Sequence, residues 1–250
     1  DDQSHAVELV GREAVSELFL LRLTVLTVKG DLAAKDVLGK SLSVKVLSGE
    51  SADPRFINGM VTAMRSLGTK YRNFYGYEFD LSPAFWLTSL SEECRIFQNK
   101  TLREIIDEVL QPYSGKIAFK VTLSASNKRE YCVQYNESDF EFLTRLLAEE
   151  GCYFFVKHDV NASSSFGQTL VISDSTAGYF TADQAEIEYF ADESRQASLT
   201  NWRVRYRAHA SEWRLSDYNP TDGAAIVEVS AVGREKDYAP HGQKRFRGHG

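Results

Sequence analysis

Between residues 129 and 155 the chain reads REYCVQYNESDFEFLTRLLAEEGCYFF, and its apolar spacing changes period twice. Tyr131, Val133 and Tyr135 alternate with Cys132 and Gln134, the period of a half-buried strand. Ser138 then stands three residues before Glu141, so each side chain can satisfy a free backbone N–H of the other, as in a capping box. Phe140, Leu143, Leu146 and Leu147 fall on one helical face, and Glu141 is placed to pair with Arg145 at i,i+4 on the other. Gly151 ends the helix where a left-handed residue is needed, and residues 153–158 return to strand. The same order occurs earlier. An aromatic strand around Cys94 runs into Thr101, boxed with Glu104, and a helix over 102–110 that Pro112 closes. The chain thus carries a strand leading into a boxed helix twice.

Elsewhere the pattern is that of short strands. Residues 17–28, 42–47, 56–66 and 74–81 are rich in Val, Leu, Phe and Tyr, with turn chemistry at 29–31, 48–50 and 68–73. The tract Asn161-Ala162-Ser163-Ser164-Ser165 reads as a loop between strands 153–158 and 169–173. Strands resume at 186–190, 199–206, 212–215 and 225–231, with a turn cluster at 217–223. From Gly233 onward the chain turns polar, loses periodicity and is expected to be poorly ordered over its last dozen residues. The pattern therefore predicts an α+β protein that is mostly β, with two short helices.

Composition narrows the function more than the fold. A chain of 250 residues at 43% hydrophobic can bury one large core or two smaller ones. The net charge of −6, with no basic stripe interleaved with aromatics, argues against nucleic acid. The longest apolar run, residues 18–21, is far below the roughly 20 residues that span a bilayer, and no leader pattern opens the chain. Cys94, Cys132 and Cys152 form no even framework, and each is expected as a buried free thiol.

Candidate chemistry is hinted at and fails. Gly39-Lys40-Ser41 ends like a phosphate-binding loop, but Ala34 stands where that loop needs glycine. No G-x-S-x-G elbow is present, and the five histidines never fall at i,i+3 or i,i+4. Glu137, Asp139 and Glu141 could be hydrolase acids, yet acids at a helix N-terminus have a sufficient structural role there. Asn99-Lys100-Thr101 and Asn136-Glu137-Ser138 match a glycosylation pattern and coincide with helix caps. Tyr75, Tyr77 and Phe79 share a strand face, which suits a core or subunit interface better than a sugar-stacking surface. No catalytic, cofactor-binding or metal-ligating residue is assigned.

The two boxed-helix blocks also carry a resemblance. QYNESDFEFLTRLLAEEGCYFF, and Cys94 to Thr101 (CRIFQNKT) with the helix after it, resemble VgrG, the spike protein of type VI secretion, in its part related to contractile-tail phage baseplate hubs. The residues that carry it are Phe97, Asn99, Thr101, Glu104, Gln134, Tyr135, Glu137, Ser138, Asp139, Glu141, Arg145 and Gly151. The resemblance implies two related β-barrel domains in a phage tail hub-like fold. Residues 1–90 with 199–231 would form the first, and 91–190 the second with both helices. Residues 232–250 would be a polar tail at the start of a further C-terminal part. It implies a homotrimer whose six barrels present a quasi-sixfold face to a hexameric secretion tube protein, with baseplate components and effectors as further partners. No cofactor, nucleic acid or membrane insertion is expected of this segment. Assembly in the bacterial cytoplasm and export through the secretion apparatus without a signal peptide would follow. Family members continue into an OB-fold and a β-helical needle. Here Asp237-Tyr238-Ala239-Pro240-His241-Gly242 stands where they approach it in degraded form, so piercing is not expected of these residues. A phage or prophage tail hub is the alternative within the architecture; a cell-wall or lipid hydrolase and a glycan-binding module are rivals of other classes.

Overall fold

The computed structural model describes residues 4–46, 55–71, 74–124, 127–158, 164, 166–180, 201, 203, 212–218, 226–232 and 243–247. The chain divides into two compact units, residues 1–187 with 194–197, and 188–193 with 198–250.

The first unit opens with a five-stranded antiparallel sheet of β1 (Ser4–Arg12), β2 (Leu20–Thr27), β3 (Ser41–Val46), β4 (Arg55–Tyr71) and β5 (Phe74–Ser82), in the order β1-β2-β5-β4-β3. Its inner face gathers Leu23, Val44, Val61, Tyr77, Phe79 and Leu81, with Tyr75 packed against them, so the aromatic alternation of β5 is core. Helix α1 (Ala34–Val37) is a single turn in the β2–β3 connection that the pattern did not announce. Nor did it announce β1. Most of its residues are exposed, so no buried face imprints a period on it, and its place comes from backbone pairing with β2, as at Leu9 and Leu23. The turn expected over 68–73 does not begin at Gly68. That residue takes φ +73° at a bulge, and β4 runs on to Tyr71.

Across the sheet, Asp80 of β5 accepts from Arg22 Nε of β2 (2.9 Å) and from Arg65 Nη2 of β4 (2.9 Å). The Arg22 bond, with Arg65 beside it, outweighs burial and holds the Asp80 carboxyl below its ordinary range.

After a 3-10 segment at Ala84–Ser89 come β6 (Glu93–Thr101), α2 (Leu102–Leu110), β7 (Ala118–Thr122), β8 (Lys128–Glu137), α3 (Asp139–Glu149), β9 (Tyr153–His158) and β10 (Gln168–Ser173). β6 and β8 form an antiparallel ribbon, and β7-β10-β9 a small mixed sheet. Both helices drive their apolar faces into one cluster with Phe85, Phe97, Phe154, Leu170 and Ile172. Roughly 25 cal/mol per Å² of apolar area removed from water makes this cluster the main stabilising mass of the unit.

In the second unit β11 (Glu212–Tyr218) pairs antiparallel with β12 (Ile226–Val232) and parallel with β13 (Gln243–Arg247). β13 lies in the stretch expected to be aperiodic and poorly ordered. Its pairing partner, β11, is remote in sequence, which local pattern cannot reveal. The strands expected at 186–190 and across most of 199–206 lie outside the described residues. Among the described residues no helix is long and apolar enough to cross a membrane, and no three metal-ligating side chains cluster.

Candidate functional site

Both boxed helices form as their local sequence dictates. Thr101 Oγ1 accepts from the Glu104 N–H (3.2 Å) while Glu104 accepts from the Thr101 N–H (2.8 Å), and Ser138 and Glu141 repeat this at 3.2 and 2.9 Å. These bonds hold the Glu104 and Glu141 carboxyls below the usual carboxylate range. Two residues before each cap, Asn99 and Asn136 adopt left-handed φ of 52° and 49°. Asn tolerates that region better than other side-chain-bearing residues, so these asparagines steer the strand into the helix, and Thr101 and Ser138 do the capping. Gly151 takes φ +67° and lets the Cys152 N–H reach Leu147 O at 2.8 Å, closing α3.

The two blocks are copies of one unit. In α2 the buried residues are Leu102, Ile105, Ile106, Val109 and Leu110; in α3 they are Asp139, Phe142, Leu143, Leu146 and Leu147, each 37 positions later. Ile96 pairs with Val133, its own counterpart at that offset, so the ribbon is centred on a local dyad through this pair. Ion pairs follow the repeat with reversed sign. Lys100 binds Glu108, and at the same offset Glu137 binds Arg145.

Where the copies differ, a buried polar network appears. Phe97 of one copy is buried and stacks on Phe142 (5.4 Å), while its counterpart is Gln134, wholly buried. Gln134 accepts from Arg95 Nε (2.9 Å) and donates to Glu137 O and Asp139 Oδ1 (both 2.9 Å). Asp139, in the first turn of α3, also accepts from Arg95 Nη2 and from the Tyr113 hydroxyl (2.9 Å). Burial, with Asp139 adding to it, pushes the Tyr113 phenol up. The network ties β6, β8, α3 and the end of α2 together.

Glu141 does not pair with Arg145, because the capping box already engages its carboxylate. Arg145 instead clasps Glu137 in a bidentate pair (2.7 and 2.8 Å), reaches Glu149 (3.1 Å), and donates to Val133 O (3.0 Å). Arg129 binds Glu149 and Glu150 at 2.7 Å each. Burial would raise the Glu149 carboxyl, but Arg129 and Arg145 outweigh it and hold it low. Every acid weighed as a hydrolase candidate is therefore held by a cation or a cap.

The outward side of the ribbon inverts a simple expectation. Cys132 and Gln134 face the core, while Tyr131, Tyr135 and Ile96 stand 59%, 72% and 60% exposed. Cys94, expected buried, is exposed on this side and donates to Asn136 Oδ1 (3.1 Å); Cys152 is half-buried and only Cys132 is buried. Sequence reasoning found Phe97, Asn99, Thr101, Glu104, Gln134, Glu137, Ser138, Asp139, Glu141, Arg145 and Gly151, all of which lie in this assembly. It missed Arg95, Tyr113 and Arg129, whose partners are 20 or more residues away. Tyr135 touches none of the networks.

A paired-helix module beside a five-stranded antiparallel sheet makes up the first unit. The phage tail baseplate hub (GPD) family profile matches residues 12–249. The chain belongs to that family. It is 30% identical over 224 residues to the type VI secretion system spike protein VgrG1b of Pseudomonas aeruginosa, covering 88% of this chain and 29% of that protein. It is 31% identical over 233 residues to VgrG1c of the same organism, covering 90% and 31%. The chain thus spans under a third of the length of these relatives. Among solved structures, an Escherichia coli type VI secretion component described as similar to T4 bacteriophage tail proteins shares the fold at a TM-score of 0.62, with 21% identity over 88% of this chain and 54% of that one.

Proposed function

We propose that this chain is the base of a type VI secretion spike, a non-enzymatic hub that adapts a threefold spike to a hexameric tube. The observation that carries the reading is that the chain belongs to the hub family and is similar over most of its length to type VI spike proteins. Three copies closing through heterologous contacts make a ring, and two related domains in each copy let a threefold ring approximate sixfold symmetry. Residues 1–90 with 199–231 would supply one barrel and 91–190 the other. Within residues 1–190, the largely separate cores of the five-stranded sheet and of the helix-bearing half support a boundary between two domains. The partners would be two further copies, the hexameric tube protein, baseplate components and effectors. Assembly would take place in the bacterial cytoplasm, with export through the apparatus itself.

The pinned acids favour scaffold over hydrolase: Glu137 is clasped by Arg145, and Asp139 is buried under Arg95, Gln134 and Tyr113. A phage or prophage hub is distinguished by its partner tube. The test is molar mass by light scattering across a range of concentrations, followed by binding to purified tube-protein rings. A mass of 84.6 kDa, three chains of 28.2 kDa, that persists on dilution and binds the rings supports the reading. A monomer that ignores the rings at every concentration counts against it.

A further inference from the structure

The ladder between β4 and β5 stops at Met60 and Ser82, because Pro83 and the 3-10 segment carry the chain away. Continued by two residues, that register would set Asn58 opposite Ala84. Asn58 sits 1% exposed, so its outward N–H and C=O need partners other than water. Side chains supply them. The Gln168 carboxamide lies between the two backbones, accepting from Ala84 N–H through Oε1 (2.8 Å) and donating to Asn58 O through Nε2 (2.5 Å). His158, which pairs with Gln168 across β9 and β10, takes the Asn58 N–H on Nδ1 (3.1 Å). Asn58 Nδ2 donates in turn to Gly167 O (2.7 Å). Two side chains thus stand in for the missing strand and join the five-stranded sheet to the helix-bearing half.

An imidazole nitrogen that accepts a hydrogen bond carries no proton, so the neutral ring holds its hydrogen on Nε2. That atom is buried without a hydrogen bond, and Glu13 Oε1 lies 3.6 Å from it. The ring packs tilted on Phe19 at 5.3 Å. Among the described residues the charged groups facing the ring are Glu13, from the β1–β2 connection, and through it Arg55 of β4 at 3.9 Å. From β10 come only the neutral Gln168 amide and backbone groups, and Lys157 of β9 points to the Phe180 ring.

We propose that the His158–Asn58–Gln168 clasp is a proton-operated latch, closed when His158 is neutral and released when Nδ1 takes a proton. The imidazolium presents N–H to the Asn58 N–H, two donors with no acceptor between them, in a buried site where an unpaired donor is unfavourable. Glu13 meets the opposite side of the ring. Its carboxylate faces Nε2 and stabilises the cation once formed. Histidine is the side chain suited to such a switch near neutrality.

The experiment follows the Asn58 amide by hydrogen exchange in the full chain, read by NMR as a protection factor corrected for intrinsic rate. Between about pH 7.5 and about pH 5.5 the wild-type protection factor falls roughly tenfold or more. His158→Asn, whose side-chain oxygen can take the place of Nδ1 without titrating, keeps it constant, and Glu13→Gln, which lacks the carboxylate facing Nε2, shows a smaller fall over the same range. A wild-type protection factor that does not change over this range overturns the proposal. So does an equal fall in His158→Asn, which would place the titration elsewhere. Should that variant not fold, the wild-type and Glu13→Gln profiles decide the matter.

Discussion

Replacing Asp139 by Asn isolates the charge in the buried network while leaving its shape. The Asp139 side chain is 4% exposed and that of Arg95 is 26% exposed. Oδ1 receives both Arg95 and Gln134, and Oδ2 receives Tyr113. In Asp139→Asn the amide oxygen can keep the first two donors. The new NH2 faces the Tyr113 oxygen, whose own proton can turn to Ser91 Oγ at 3.1 Å. The hydrogen-bond count is thereby nearly conserved, and what disappears is the anion opposite Arg95. Breaking a fully buried pair costs about 3–5 kcal/mol, and the part-exposed guanidinium lowers this to about 2–3 kcal/mol. Asp139→Ala also strands Gln134 and Tyr113 at about 1 kcal/mol each, for about 4–5 kcal/mol in all, and Tyr113→Phe alone costs about 1 kcal/mol. Urea unfolding reads these as shifts in midpoint at constant slope. An Asp139→Asn variant within about 0.5 kcal/mol of wild type, or one equal to Asp139→Ala, would refute the assignment of the energy to the charge.

Other expectations follow from the same contacts. Ser138→Ala removes half of a capping box and should lower stability by about 1 kcal/mol, whereas Leu143→Ala, wholly buried in α3, should lower it by about 2–5 kcal/mol. Denaturant melts that rank them in reverse would sink the helix-face assignment. Asp80 has a folded pKa below its ordinary 3.8, so its contribution is full above that value and is lost as pH falls through the lower folded one. Asp80→Asn should therefore be less stable than wild type by about 1–2 kcal/mol at neutral pH, the half-exposed arginines limiting the figure. The gap should close in strong acid; a gap independent of pH counts against the ion-pair account. Arg145→Ala removes contacts to Glu137, Glu149 and Val133 O at a part-exposed site, and should cost about 1 kcal/mol, shrinking as salt is added.

How much of this was legible before the coordinates depends on how local each signal is. Both capping boxes and the Gly151 stop are encoded within six residues of themselves, and each formed where the sequence put it. The repeat was visible as two strands each leading into a boxed helix, but the 37-residue offset gains meaning only through the Ile96–Val133 pairing. Alternation in β8 is real, yet hydropathy alone points the wrong face inward. Gln134 is buried because Arg95 and Asp139, 39 and 5 residues away, satisfy its amide. The Glu141–Arg145 pairing failed for a similar reason: spacing allowed it, and a competing bond to Ser138 took the acid first. β1 and β13 carry almost no sequence signal, since each is placed by a neighbouring strand's backbone.

A chain that contains two near-copies of one strand–helix unit faces a hazard while it folds, because α3 could dock on β6 and α2 on β8. The buried faces match at most positions, Leu102 against Asp139 and Phe97 against Gln134 being the exceptions, so packing alone discriminates incompletely. The reversed ion pairs do discriminate. In the exchanged arrangement Lys100 would meet Arg145 and Glu108 would meet Glu137, so both contacts would turn repulsive. The two charge pairs serve as opposite labels on closely similar parts. Inverting one of them should make the labels identical and populate a slow, mispaired folding intermediate.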